Sequence, residues 1–372
     1  VALSWGRAAW RGLDGDVLPP LSVCAYMMIQ VLSMTWAPDI YRSSIYVSNQ
    51  VLMLMGGYAL FRHACRNDEH LRMIFGAASL ALVIAVTAYL GGRVLYGPTD
   101  HGFFDSSFKY GTYIGMLGPL VGSFLLLKNN VGSNMFGGIV VIATTLSMPT
   151  MGALLAMTVG MAVAIGLVSS WSKRLKIFVA ILLAGVALAG VWETSWISPL
   201  REDLLFADSD GVNLRQRYIE WQAEMNLVGQ RTVMGTGAGC LNTYRSEFYY
   251  RLPKLNTLKA FDQNGWLQIA SETGMLGLLC FCWMITSHAK MTLGRFGDGR
   301  SPGSLAAIPA LAGLSGACVA NIFSGVQSNG IMVIFILLLV LASSHGTGKQ
   351  AKPCSESFRS ASEGNHPCSE DM

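Results

Sequence analysis

Charge is what this sequence has least of. Asp, Glu, Lys and Arg make up 13% of its 372 residues, and 52% of the chain is hydrophobic, whereas a soluble domain carries roughly a quarter charged residues. Water is therefore not its main solvent. The formal net charge is only +4, with Lys and Arg scattered among short connecting segments, so nucleic acid is not expected as a partner. The eight cysteines include no Cys-x-x-Cys pair; Cys280 and Cys282 sit in an apolar run, Cys354 and Cys368 in a polar tail. Neither a zinc site nor a disulfide framework is expected. Carboxylate or His clusters with ligand spacing are missing too, and no metal or cofactor is implied. An internal repeat is missing, and so is a basic, apolar, small-residue signal pattern at the start. Residue 1 is Val, not Met, so the start reads as a truncation with room for further helices ahead of it.

What is present is a series of apolar runs, each long enough to approach the roughly 30 Å of a bilayer's hydrocarbon core. Ten candidates run from Pro19 to Trp36, Ser43 to Phe61, Met73 to Gly91, Tyr110 to Leu127, Met135 to Met148, Gly152 to Val168, Ile177 to Trp192, Gln263 to Thr286, Leu305 to Asn321 and Ser328 to Ala342. The fold class is all-α, a polytopic transmembrane bundle. The fifth and sixth runs are short and meet at Pro149, which predicts a tight hairpin or a re-entrant pair.

Lys and Arg are retained on the cytoplasmic side of short loops. Taking every second loop as cytoplasmic collects Arg62, Arg66, Arg72, Lys128, Lys173, Arg174, Lys176, Lys290, Arg295 and Arg300; the opposite short loops hold Arg42, Arg93 and Lys109. That imbalance predicts both termini inside and the loop from Glu193 to Asp262 outside. The expected organisation is transmembrane helices over 1–192, an extracytoplasmic loop over 193–262, transmembrane helices over 263–345 and a disordered cytoplasmic tail over 346–372. The tail is rich in Ser, Glu, Gly and Lys.

The outer loop spans about 70 residues, and loops beyond roughly 15 are usually functional or disordered. From Asn213 onward, Tyr218, Trp221, Met225 and Val228 recur at helical spacing and predict an amphipathic helix suited to a membrane surface. After it comes Gly235-Thr-Gly237-Ala-Gly239. Alternating glycines permit backbone conformations closed to other residues and let peptide N–H groups approach an anion; the alternative is simply a sharp turn. Arg215 and Arg217 precede Trp221. A guanidinium suits phosphate oxygens, though Arg217 equally has Glu220 within reach on the helix surface.

The eighth run opens Asp262-Gln-Asn264-Gly-Trp-Leu-Gln268 and continues through Ser271, Glu272, Gly274 and Gly277. At 100° per residue, Asn264, Gln268, Ser271 and Glu272 fall at about 0°, 40°, 340° and 80°, a polar stripe on an apolar helix. Such a stripe does not face lipid. Glu272 lies roughly 15 Å along the helix from Asp262, at hydrocarbon depth, where an ionisable residue faces a cavity or a partner. A functional carboxylate and a helix-to-helix hydrogen bond both meet that demand. Gly274 and Gly277 are expected to let another helix approach closely.

The order of these pieces, Arg217 four residues before Trp221, the Gly235–Gly239 turn, then Asn264 opening a helix with Leu267-Gln268 and Glu272-x-Gly274-x-x-Gly277, resembles the signature of the O-antigen ligase and polymerase family. Phe108 to Leu120 and Leu146 to Gly152 resemble two further family segments more loosely. Where family ligases carry His before the Asn, this chain has Asp262-Gln263, and no His occurs in the outer loop.

The resemblance implies a bacterial inner-membrane glycosyltransferase of cell-envelope polysaccharide biosynthesis. It would act on an undecaprenyl-diphosphate-linked oligosaccharide and a glycan, lipid or protein acceptor, with a chain-length regulator as a further partner. It assigns Arg217 and Arg215 to the developing diphosphate charge, with Arg245 and Arg251 as further contacts and N–H groups near Gly237 assisting. Asp262 takes the place of the His as base or orienter of the attacking hydroxyl. Gly235, Gly237, Gly239, Trp221, Asn264, Gln268 and Glu272 are the expected substrate-binding set. The absent His favours polymerisation over transfer to lipid A core or to a protein hydroxyl. Two other classes compete: a lipid-linked glycan transporter, which gives no reason for an ordered outer loop, and a non-catalytic assembly subunit, for which the Asp262 replacement is the best argument.

Overall fold

The computed structural model describes residues 19–65, 68–96, 107–127, 131–148, 150–167, 214–241, 243–244, 264–294, 304–325 and 329–343. These residues form ten α-helices and no strand: α1 (Leu21–Ser33), continued by the 3₁₀ turn Met34–Trp36, α2 (Ile40–Ala64), α3 (Asp68–Tyr96), α4 (Ser107–Leu127), α5 (Val131–Leu146), α6 (Met151–Leu167), α7 (Leu214–Gln230), α8 (Gly265–Gly294), α9 (Ser304–Phe323) and α10 (Asn329–Ser343). Nine of the ten expected apolar segments coincide with helices, and Ile177 to Trp192 lies outside the described residues. Four helical stretches are long and apolar enough to cross a membrane, Glu69–Gly92, Lys109–Leu127, Gly265–Gly294 and Ala306–Phe323; four further apolar helices are shorter. Leu52, Leu80, Met135, Ile139 and Leu279 are exposed on helix flanks, the surface a bilayer accommodates and water does not.

The centre of the bundle is the trio α4, α6 and α9, joined through residues too small to hold the helices apart. Pro119 lies inside α4 and has no N–H to give the carbonyl of Gly115 one turn back. A side chain at Gly316 of α9 would strike that carbonyl, and one at Gly160 of α6 the Pro119 ring and the carbonyl of Ala312. A side chain at Gly115 would meet Ala156 of α6 at 2.9 Å. Lipid tails are as apolar as Leu, so membrane helices associate through such close packing rather than through hydrophobic contrast.

The fifth and sixth helices differ from expectation. Of the tight hairpin or re-entrant pair expected, the tight hairpin is not found: the two helices splay and each packs on α4, where Gly122 is flanked by Val141 of α5 and Met161 of α6. The missing side chain at Gly122 makes α4 the better neighbour for both. Pro149 lies outside the described residues.

Two ends of the bundle are distinguishable. One gathers Trp36 and Asp39, Tyr110 bonded to Ser147, Gly152 packed on Phe323, Asn264, and Asn321. At the other, Arg62 of α2 donates to the main-chain oxygen of Ser343 at 2.6 Å and Thr292 of α8 to that of Ala342 at 2.6 Å, satisfying carbonyls at the end of α10. Tyr58 bonds the Ser343 hydroxyl there. The described apolar helices thus alternate in direction between these two ends.

Candidate active site

Helix α8 starts with an Asn cap. The side-chain oxygen of Asn264 accepts from the N–H groups of Trp266 and Leu267 at 3.0 and 3.2 Å, which satisfies two donors of the first turn. Part of the polarity expected to meet a sugar therefore serves the helix. Gly265 abuts Asn321 and Gly325, and the Trp266 indole donates to the carbonyl of Cys318, so the start of α8 is locked onto the end of α9.

The polar stripe is buried along its whole length: Asn264 is 8% exposed, Gln268 6%, Ser271 1% and Glu272 3%. Gln268 reaches Glu272 with Nε2···Oε1 at 3.4 Å. Asn321 of α9, buried beside Gly265, adds an amide from a second helix, which the spacing along α8 alone does not reveal.

Directly after Glu272 the helix breaks. Gly274 has φ 73° and ψ −179°, a conformation closed to L side chains. In an unbroken helix the Ser271 carbonyl would accept from Met275 N–H and the Glu272 carbonyl from Leu276 N–H. Instead Thr236 N–H donates to Ser271 O and Gly237 N–H to Glu272 O, both at 2.8 Å, while Met275 N–H donates to Thr232 O at 2.8 Å. The Thr236 hydroxyl adds a second bond to Ser271 O. The glycine-rich turn is spliced into the helix.

This explains the glycine spacing. Gly235, Gly237 and Gly239 have φ of 68°, 97° and 74°, as their alternation predicts. A side chain at Gly235 would strike the Glu272 backbone, one at Gly237 the Cα of Ala37, and one at Gly239 the ring of Tyr46. The expectation that N–H groups near Gly237 assist an anion is corrected: Thr236 and Gly237 donate to α8, Gly235 N–H to Arg231 O, and Ala238 N–H to the Ser33 hydroxyl. Gly274 likewise receives the carbonyl of Val233 from this segment rather than another helix, whereas Gly277 faces Ile29 of α1.

Helix α7 forms where the loop was expected to be helical, but its buried face differs. Ala223, Glu224 and Leu227 are buried, Met225 is half exposed, and the helix packs on α8. Protein, not a membrane surface, receives its inner face, because α8 offers a buried polar stripe that needs cover. Glu224, which the helical pattern of apolar residues does not single out, is 3% exposed. Its spacing of three from Trp221 was the available signal. Arg215 and Arg217 belong to the first turn of α7; position 217 is seven residues from 224, and so within about 20° of it around the helix. Asp262, Arg245 and Arg251 lie outside the described residues.

At the rim, Arg231 is exposed and stacks on the Tyr244 ring, 4.4 Å from its centroid. Burial pushes the Cys240 thiol above its ordinary range, opposed by a bond to the carbonyl of Asp39. The junction thus unites α7, a turn of fixed backbone and a buried carboxylate-amide stripe.

No curated protein matches the chain significantly. Residues 134–282, about two fifths of the chain, match the family model described as O-Antigen ligase. That stretch contains α7, the glycine turn and the start of α8, the three elements that meet at the junction, and there the chain is similar to the O-antigen ligase family.

Proposed function

We propose that this chain polymerises polysaccharide repeat units on the outer face of the bacterial inner membrane. The bond from the anomeric carbon to undecaprenyl diphosphate breaks, a bond to an acceptor sugar hydroxyl forms, and the hydroxyl proton passes to a base. The diphosphate leaving group supplies the driving force. Arg217, aided by Arg215, Arg245 and Arg251, stabilises charge on the departing diphosphate, and Asp262 orients or deprotonates the hydroxyl. Trp221, Asn264, Gln268 and Glu272 bind the sugar and the polar head group, while Gly235, Gly237 and Gly239 shape the backbone beside them.

The observation that supports this reading best is the meeting of α7, the glycine turn and the polar stripe of α8 at one end of the bundle. Polymerisation is preferred because the loop holds no His. Transfer of the glycan to lipid A core or to a protein is the second reading, favoured by the description of the matched family as a ligase.

Purified protein reconstituted with an undecaprenyl-diphosphate-linked repeat unit separates them. A ladder of longer lipid-linked glycans is expected. Glycan joined only to added lipid A core or protein would replace polymerase by ligase or protein transferase, and substrate moved across the bilayer unaltered would remove both. In cells, Arg217→Ala is expected to abolish surface polysaccharide at unchanged protein level; unchanged polymer would defeat the proposal.

A further inference from the structure

The corner between α1 and α2 lies outside the matched residues, yet it grips the glycine turn at both ends. The Trp36 indole N–H donates to the Met234 carbonyl at 2.7 Å, and the Ser33 hydroxyl accepts from Ala238 N–H at 3.1 Å. Between these two anchors lie Gly235, Thr236 and Gly237, whose last two N–H groups fill the break in α8. Ala37 stands against Gly237 so closely that no Cβ fits between them. Ser33 is fully buried and Trp36 half buried. Corner, turn and broken helix are three layers in direct contact.

We infer that Trp36 and Ser33 are positioning residues of the active site, holding the glycine turn in the break of α8 and thereby fixing where the Glu272 carboxylate points. The turn and the break sustain each other. Without the turn, the carbonyls of Ser271 and Glu272 and the N–H of Met275 lose their partners, and buried backbone groups left unmet strongly disfavour that arrangement. The break leaves the residue holding the Glu272 side chain bonded through its own carbonyl to Gly237. A displacement of the turn is therefore a displacement of Glu272. Neither corner residue reaches the stripe itself, so both act through the backbone of the turn.

The inference rests on the transferase reading for its catalytic consequence but not for its structural one, and the test separates the two. Hydrogen exchange on the wild-type protein in nanodiscs is expected to show segments 232–237 and 271–276 opening together at one rate; independent opening would overturn the clasp whatever the chain's activity. Trp36→Phe keeps an aromatic ring and removes the donor, and Ser33→Ala removes the acceptor. Either variant that inserts normally should speed exchange in both segments. With the host's own undecaprenyl-diphosphate-linked repeat unit, kcat should fall about ten- to a hundredfold while KM for the donor stays within about twofold, and Trp36→His, which restores an N–H, should recover part of the loss. Unchanged kcat with accelerated exchange would leave a clasp without a positioning role and overturn the inference. A wild-type protein inactive on every lipid-linked glycan, but with coupled exchange, would instead refute the transferase reading.

Discussion

The peptide N–H of Gly237 donates to the main-chain oxygen of Glu272 at 2.8 Å. This one bond makes the motif glycine and the buried acid parts of the same backbone unit. It also turns what looks like an anion cradle into a splice between a loop and a broken helix.

Gly274→Ala and Gly237→Ala should both fail to fold normally. A positive φ costs an L residue about 1–2 kcal/mol, and backbone atoms of Val233 and Ala37 occupy the space a methyl would need. The monodisperse fraction in detergent chromatography should collapse for both. Gly229→Ala, on a helix with nothing within 4 Å of the new methyl, should behave as wild type or gain up to about 1 kcal/mol. Equal tolerance of all three changes would contradict the splice.

Glu272→Gln should separate charge from shape. The amide is nearly isosteric with the carboxylate, so thermal stability is expected to stay within about 1–2 kcal/mol, as replacing a buried charge often allows. Glycan transfer should fall by a factor of about a hundred or more. Full activity in the Gln variant would reduce Glu272 to a packing element.

Cys240 should be inert to thiol reagents at neutral pH in the folded protein. Burial raises the thiol above its ordinary value of 9.0, which favours the protonated form in the native state. The stabilising contribution is therefore complete below about pH 9 and falls as pH rises through the native pKa. Maleimide labelling of Cys240, followed by peptide mass spectrometry from pH 7 to 10, should lag behind that of the unfolded chain throughout; equal rates would disprove the burial.

Arg62→Ala serves as a control at the other end of the bundle. Its guanidinium caps the last carbonyl of α10 and bonds the Ser343 hydroxyl. Charged hydrogen bonds are worth roughly 1.5–3 kcal/mol when buried, and partial exposure reduces this to about 1 kcal/mol. Melting temperature should drop while transfer per folded molecule is unchanged. Lost activity at normal stability would mean that the two ends are coupled.

Apolar run length was enough to locate nine of the helices, because an uncharged stretch near 20 residues has few other stable forms. The stripe Asn264, Gln268, Ser271, Glu272 was legible for the same local reason: helical period alone puts these residues on one face. The splay of α5 and α6 was not legible, since it depends on α4 offering Gly122 between them. The inner face of α7 was also misread, because Glu224 is buried by a helix forty residues further on, not by its own neighbours.

By itself the sequence determined the helices, the glycines with left-handed backbone and the family signature. All of these follow from local spacing or from the conformations a residue type permits. Only the tertiary structure decided what the glycine turn is for. Its N–H groups could have met an anion, water or protein, and the choice fell to the carbonyls freed at Gly274 and to the corner at Ser33 and Trp36. Hydrogen-bond donors are alike along any backbone; which acceptor they find depends on what distant segments bring within 3 Å.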